Sequence, residues 1–124
     1  MHRGVITCWL DTPVDKVAET MDAKDISAVV VVDKAGDAVG VISRTDLVNA
    51  RFIQPYLKHW RGMSAEHLMS KPVISVTHDV AIKEAVKLLR ARRIHRLVVV
   101  EKQAGHKRPV GILSVTDLAK HTGG

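Results

Sequence analysis

Two clusters of hydroxyl and carboxylate side chains recur at matching positions. The run from Gly40 to Leu47 returns as Gly111 to Leu118, 71 residues later. A carboxylate can accept two hydrogen bonds from a vicinal diol, and hydroxyls near a helix start suit phosphate oxygens. Each cluster stands where an apolar stretch gives way to a predicted helix, so the sequence predicts two polar binding sites. Their members are Ser43, Thr45 and Asp46 in one copy and Ser114, Thr116 and Asp117 in the other.

Helix capping is the alternative role for the two aspartates, Asp46 and Asp117. An acid in the first turn of a helix interacts favourably with the helix dipole by about 0.3–1 kcal/mol without any ligand. A serine or threonine followed by an acid is also typical of a helix cap. The recurrence favours ligand binding by at least one of the two carboxylates, with capping as the alternative.

The repeat extends over most of the chain. An offset of 68 residues relates the segment 5–7 to 73–75 and the valine run 29–32 to 97–100. Three extra residues within 102–109 then change the offset to 71. Because an insertion that leaves its flanks intact is tolerated best at the surface, we expect a surface hairpin there.

Each copy has the pattern β-α-β-β-α. Asp11 or Thr12 is predicted to cap the first helix of the first copy, and Asp79 is predicted to cap its counterpart. Residues 64–69 are expected to form a short lead-in helix to the second copy, and 56–62 the linker. The valine runs indicate strands that are buried on both faces, which one copy of about 60 residues would bury poorly alone.

The fold class is therefore α/β (α+β): tandem β-α-β-β-α repeats packed sheet to sheet around a pseudo-twofold axis. We expect unit 1 to span residues 1–62 and unit 2 to span residues 63–124. Trp60 and Tyr56, with Leu57, are candidates for an interface patch.

Composition limits the possible functions. The net charge of +6 and the pI of about 9.8 favour anionic partners, whereas 3% aromatic residues provide few stacking platforms for single-stranded nucleic acid. The single cysteine, Cys8, excludes a disulfide within the chain and favours a reducing, cytosolic setting. We expect no membrane span, because no apolar run is long enough to cross a bilayer. We expect no metal site, because the seven histidines are scattered, and no catalytic cofactor. No Ser/His/Asp or Cys/His arrangement indicates catalysis, so we do not expect an enzyme.

These residues resemble a CBS-domain pair, also called a Bateman module. The resemblance is carried by Gly-h-h-Ser-x-Thr-Asp-Leu at both unit ends, by the run Arg93 to Val100, and by Leu68 to Val73. It covers essentially the whole chain. It implies a disc with two clefts that commonly bind AMP, ADP, ATP or an adenosine compound such as S-adenosylmethionine. In that family the aspartate holds the ribose hydroxyls, and the preceding Ser or Thr can reach phosphate.

The resemblance also implies two unlike clefts. His95 and Arg96 stand where the nucleotide-sensing subunit of AMP-activated protein kinase, a family member, contacts phosphate. The first unit has no charged residue at the equivalent place. The first cleft is therefore expected to contain Ser43, Thr45, Asp46, Ser70, Ile74, Ile94, His95 and Arg96. The second is expected to contain Ile6, Ile26, Ser27, Ala28, Ser114, Thr116 and Asp117, with a phosphate end that is poorer in charge.

The sequence thus predicts a regulatory module that binds an adenine nucleotide between its two units and transmits its occupancy to an effector protein or a fused domain. We expect a homodimer formed through the helices at the unit ends. The alternatives are a ligand-free dimerisation scaffold and a nucleic-acid-binding module that uses the basic surface.

Overall fold

The computed structural model describes residues 5–53, 63–71 and 73–114. In unit 1, the strands are β1 (Thr7–Trp9), β2 (Ala28–Val32) and β3 (Ala38–Ser43). The helices are α1 (Val14–Lys24) between β1 and β2, and α2 (Arg44–Ile53) after β3. The short helix α3 (Ala65–Leu68) follows. Unit 2 contains β4 (Ser75–Thr77), α4 (Ile82–Arg92), β5 (Arg96–Gln103) and β6 (His106–Ser114).

The two sheets have the same topology. The strand orders are β1-β2-β3 and β4-β5-β6, with a parallel first pair and an antiparallel second pair in each. Both antiparallel pairs carry a register shift at the equivalent place, after Val31 in one sheet and after Val99 in the other. The predicted repeat is therefore present in the backbone, and the predicted fold class is confirmed.

The core has three layers of apolar contacts, because alternate residues of each strand face opposite ways. Val29 and Val31 of β2 face the helices of unit 1, while Val30 and Val32 face the other sheet. Val98 and Val100 of β5 meet them there. All of these valines are at most 5% exposed, so the central strands are buried on both faces as predicted.

The lead-in helix α3 packs against unit 1. Ala65 is fully buried in the helix-facing core of that unit, and its N–H donates to Thr12 O at 2.8 Å. Met69 lies against Gly40, where an added Cβ would come within 2.8 Å of three atoms of the methionine side chain. The segment that leads into unit 2 therefore packs on unit 1. This packing connects the two units in addition to the contact between their sheets. The boundary at 62/63 stays a sequence prediction.

The extra residues of unit 2 lengthen a hairpin. β5 and β6 pair as far as Gln103 and His106, around a turn at Ala104 and Gly105. The hairpin reaches unit 1, where Lys107 N–H donates to Asp37 Oδ1 at 2.7 Å and His106 Nδ1 lies 3.3 Å from the same carboxylate. The pKa of Asp37 is lowered, mainly because its carboxylate accepts the Lys107 N–H. His106 and the charge of Arg108 lower the pKa further, whereas burial raises it by less than the Lys107 bond lowers it. The insertion therefore forms a second link between the units.

The predicted helix caps are wrong. Pro13 and Ala81 occupy the N-cap positions of α1 and α4, and neither helix start has a side-chain cap. Thr12 Oγ1 instead accepts from Trp9 N–H at 2.9 Å, and Asp79 accepts from the Thr77 hydroxyl, which lowers the pKa of Asp79. These side chains stabilise the turn before each helix because an Asp or Thr can bond to local groups two or three residues away. Asp11 does not cap either.

The described helices are short. The longest helices described, α1 and α4, have 11 residues each, and none of the described helices is long and apolar enough to cross a membrane. The expected interface patch at residues 56, 57 and 60 lies outside the described residues.

Candidate functional site

A cleft of about 440 Å³ lies between the units. Unit 1 contributes the end of β3 and the start of α2. The opposite wall consists of the segment before β4 and the corner between α4 and β5. The structure places all eight residues predicted for the first cleft around it: Ser43, Thr45, Asp46, Ser70, Ile74, Ile94, His95 and Arg96. The volume lies within the range of roughly 300–1,000 Å³ that is common for small-molecule sites.

Asp46 forms a capping box with Ser43. Its Oδ2 accepts from Ser43 N–H at 2.8 Å and from the Ser43 hydroxyl at 3.0 Å, while Asp46 N–H donates to Ser43 Oγ at 3.2 Å. Both side-chain bonds use one carboxylate oxygen. Among the described residues, Oδ1 has no hydrogen-bond partner. Asp46 can therefore cap α2 and still present an oxygen to the cleft, so the two roles considered from the sequence are compatible.

Ser43 and Thr45 differ in accessibility. Ser43 is 8% exposed and its hydroxyl is occupied by Asp46, so it positions the carboxylate. Thr45, in the first turn of α2, is exposed and lines the cleft. Thr45 is thus the better placed hydroxyl for a direct contact with a bound molecule.

The opposite wall of the cleft is basic. Arg93, His95 and Arg96 line it, and no carboxylate of the described residues forms an ion pair with any of them. Arg96 is half-buried at the start of β5, whereas Arg93 and His95 are exposed. Because cationic donors attract phosphate oxygens and are not neutralised here, this wall suits an anionic group.

The floor of the cleft is apolar. It is formed by half-buried aliphatic residues of both units and by one strand residue from the core between the sheets: Val41, Val73, Ile74, Ile94 and Val98. Ser70 fixes one edge, since its backbone exchanges two hydrogen bonds with Val41, at 2.9 and 3.3 Å. The cleft therefore combines an apolar floor, a carboxylate on one side and cationic side chains on the other.

Sequence reasoning did not select Arg93 or the three valines among these lining residues. The valines were assigned only to strands, and their second role depends on which face meets the other sheet. Arg93 ends α4 in the left-handed conformation, with φ 51° and ψ 46°. The signal that could have found it is its position three residues before Arg96, at a helix end next to the predicted site.

The second predicted cleft is only partly within the described residues. Ile6, Ile26, Ser27, Ala28 and Ser114 are described, and Thr116 and Asp117 are not. Ser27 O accepts from Arg44 N–H at 3.0 Å, and Ile6 O accepts from Val30 N–H at 3.1 Å. The equivalent carbonyl in the first cleft, Ile74 O, accepts from Val98 N–H at 3.0 Å. The backbone of the second site thus follows the repeat, and its binding role stays a prediction.

Metal-binding residues are not grouped in the described ranges 5–53, 63–71 and 73–114. No set of three His, Cys, Asp or Glu side chains there could hold an ion.

Cys8 is half-buried against the helix-facing core of unit 1, and burial raises the pKa of its thiol to about 11. Such a thiol is a poor nucleophile and metal ligand near neutral pH.

Two pseudo-symmetric α/β repeats pack their sheets together and enclose a cleft, which defines a tandem-repeat α/β module. A family model for the CBS domain matches residues 1–52 and 65–124. The chain belongs to the CBS-domain family and forms a CBS-domain pair.

The curated relatives are longer proteins. An uncharacterized protein of Methanopyrus kandleri is 32% identical over 94% of this chain, which spans 57% of that relative. Inosine-5'-monophosphate dehydrogenase of Halobacterium salinarum is 30% identical over 82% of this chain, which spans only 19% of the enzyme. The similarity to the dehydrogenase is thus confined to a minor part of its length.

Solved structures match the whole arrangement. The CBS domain of a CBS-domain-containing membrane protein from Sphaerobacter thermophilus is 30% identical, with a TM-score of 0.76, and the match covers 94% of this chain and 81% of that one. CBSX2, solved in complex with AMP, is 25% identical, with a TM-score of 0.72 and coverage of 97% and 87%.

Proposed function

We propose that this chain is a regulatory module that binds an adenine nucleotide in the cleft between Asp46 and Arg96. The observation that carries the proposal is the composition of that cleft, to which both units contribute. An accessible carboxylate oxygen on unit 1 faces a cationic wall on unit 2. A nucleotide carries a diol on C2′ and C3′ of its ribose and a phosphate on C5′, so it can contact the carboxylate and the cationic wall at once.

Each part of the nucleotide is assigned to different residues of the cleft. The ribose hydroxyls donate to Asp46 Oδ1, as a carboxylate does for ribose in dinucleotide-binding folds. The phosphate lies against His95 and Arg96, and Thr45 offers an additional hydroxyl. The base occupies the apolar floor near Ile74 and Ile94. The AMP complex of CBSX2, a structure 25% identical to this chain, supports an adenine ligand.

Signal transmission follows from the position of the ligand between the units. A molecule that contacts both walls stabilises one relative orientation of unit 1 and unit 2. A ligand shifts a conformational equilibrium only by its differential affinity for the two states. We therefore propose that occupancy biases this orientation, which an attached domain or an effector protein senses. The second cleft, with Asp117, is proposed as a weaker site of the same class.

Assembly and location are part of the same proposal. Two copies would associate through the helices at the unit ends, of which α2 is described and carries Val48, 49% exposed. A reducing, cytosolic setting is consistent with the unpaired Cys8. Sedimentation analysis of the purified chain tests the dimer, and a mass corresponding to one copy at micromolar concentration would contradict it.

A thermal-shift screen tests the binding function. AMP, ADP, ATP and S-adenosylmethionine are each added at increasing concentration. A ligand at 100 times its dissociation constant stabilises the folded state by about 2.7 kcal/mol, which raises the melting temperature measurably. The absence of a shift with all four would favour a ligand-free scaffold. Tight, steeply salt-dependent binding of duplex or RNA, unchanged in Asp46→Ala, would instead favour a nucleic-acid-binding module.

A further inference from the structure

The corner that follows the first helix has the same backbone in both units. α1 ends before Asp25 and α4 ends before Arg93, and each of these residues has φ 51°. The next residue closes the corner in the same way, since Ile26 N–H donates to Met21 O and Ile94 N–H donates to Leu89 O, both at 3.1 Å. The corners therefore differ only in their side chains.

In unit 1 the corner is electrostatically closed. The Arg44 guanidinium donates to Ile26 O at 2.9 Å and to Met21 O at 3.3 Å. It also lies 3.7 Å from Asp22 and 3.6 Å from Asp25. One arginine thus serves two carbonyls and two carboxylates of its own unit, and its charge is compensated locally.

In unit 2 the two acidic positions of this corner are occupied by arginines. Arg90 and Arg93 stand where unit 1 has Asp22 and Asp25, and the sequence has Val115 at the place of Arg44. Among the described residues, Arg93 has no ion-pair partner, and it lines the cleft together with Arg96. The corner that closes on itself in unit 1 is therefore open to an external anion in unit 2.

We propose that Arg93 is a specificity-determining residue that makes this cleft prefer adenosine ligands with a polyphosphate arm. The inference rests on the proposed function and extends it to the class of nucleotide. Arg96 is half-buried at the strand start, whereas Arg93 is exposed at the helix end. A first phosphate next to Arg96 and His95 would direct further phosphates outward, to Arg93. The ranking expected is ADP above AMP, and AMP above adenosine.

Isothermal titration calorimetry of the full chain with adenosine, AMP and ADP tests this ranking. A charged hydrogen bond corresponds to about a tenfold change in affinity, so ADP should bind the unaltered chain about tenfold more tightly than AMP. Arg93→Gln should reduce the ratio of the two affinities to about one and leave adenosine unchanged. Arg92→Gln is the matched control, because Arg92 is exposed, adjacent, and not among the residues that line the cleft.

Arg93→Gly separates binding from folding. Glycine adopts positive φ without the steric cost of a side chain, so this variant should melt at or above the temperature of the unaltered chain while losing the preference for ADP. Equal affinities of ADP and AMP for the unaltered chain would overturn the inference. So would retention of the preference in Arg93→Gln, or an equal loss in Arg92→Gln. If no adenine compound binds the unaltered chain at all, the proposed function fails as well.

Discussion

Replacement of Asp46 should affect stability and ligand binding through different oxygen atoms of one carboxylate. Oδ2 holds the Ser43 N–H at 2.8 Å and the Ser43 hydroxyl at 3.0 Å, and Oδ1 is the oxygen proposed for the ribose. Asp46→Ala removes both functions. Asp46→Asn retains one carbonyl-type acceptor for Ser43 and removes the charge. Comparison of the two variants therefore separates the cap from the ligand contact.

The stability cost of Asp46→Ala can be estimated from the capping box. The N-cap bond from Asp46 N–H to Ser43 Oγ remains in this variant, and the bonds that are lost are the two from Ser43 to the carboxylate. Loss of this half of the capping box costs about 1 kcal/mol, and loss of an acid in the first turn costs about 0.3–1 kcal/mol more. The sum of roughly 1–2 kcal/mol corresponds to a decrease in melting temperature of about 3–10 °C for a domain of this size. Ser43 is 8% exposed, so its N–H would be left with little access to water, which favours the upper part of this range.

The binding cost follows from the bonds to the ribose. A hydrogen bond to a charged group contributes about 1.5–3 kcal/mol, so Asp46→Ala should weaken AMP binding by about 10- to 150-fold. Asp46→Asn should weaken binding by about tenfold with a melting temperature close to that of the unaltered chain. Calorimetry for the affinity and differential scanning fluorimetry for the melting temperature provide the two readouts. If Asp46→Ala lowers the melting temperature but leaves AMP affinity within twofold, Asp46 is a cap and the ribose contact is refuted.

Three further perturbations test other parts of the structure. Cys8, with its thiol pKa raised to about 11 by burial, should react with iodoacetamide at pH 8 far more slowly in the folded chain than in urea; equal rates would contradict its burial. Asp37 has a lowered pKa because Lys107 N–H donates to it, so its contribution to stability is present above the carboxyl's ordinary pKa near 4 and is lost as the pH falls through the lower folded-state pKa. Urea unfolding should therefore show a steeper loss of stability below pH 4 in the unaltered chain than in Asp37→Asn, and parallel profiles would contradict the link. Gly40→Ala should destabilise the fold by about 1–3 kcal/mol, because the new methyl group overlaps Met69, and Met69→Ala in the same chain should recover part of this loss; strictly additive effects in chemical denaturation would refute the contact.

The repeat made most of the fold predictable from the sequence. Matching apolar runs at 29–32 and 97–100 fixed the positions of the central strands, and their continuous valines indicated burial on both faces. The insertion in unit 2 was predicted as a surface hairpin. Its contact with Asp37 was not, because a bond between residues 70 positions apart depends on the packing of the two sheets.

The helix caps were predicted less well for a physical reason. Asp79 and Thr12 have the side chains that favour N-caps, but the same side chains also bond to nearby groups in turns. In this protein both side chains form hydrogen bonds within the turn, and the helices begin two or three residues later, after Pro13 and Ala81. Propensity identifies the neighbourhood of a helix start, while the exact cap depends on competition between local hydrogen bonds.

The candidate site was predictable in its residue types and only partly in its arrangement. The repeat of Ser, Thr and Asp indicated the polar corner, and the resemblance to CBS domains indicated which residues of the other unit would face it. Arg93 reads from the sequence as surface charge next to the site, because its relevance comes from the comparison of two corners in three dimensions. Arg44 pairs with Asp22 and Asp25, whereas Arg93 has no such carboxylate partner within the part of the chain that the structure describes.

Nucleotide binding between the two units can be tested by NMR titration of the ¹⁵N-labelled chain with AMP, because this titration reports both binding and its location. We expect saturable shifts of the backbone amides around Ser43 to Asp46 and around Ile94 to Arg96, the two walls of the cleft. Amides near Trp9 and Arg108, which line a separate groove, serve as the internal control and should stay unperturbed. The absence of shifts at millimolar AMP, or shifts confined to that groove, would contradict nucleotide binding between the two units.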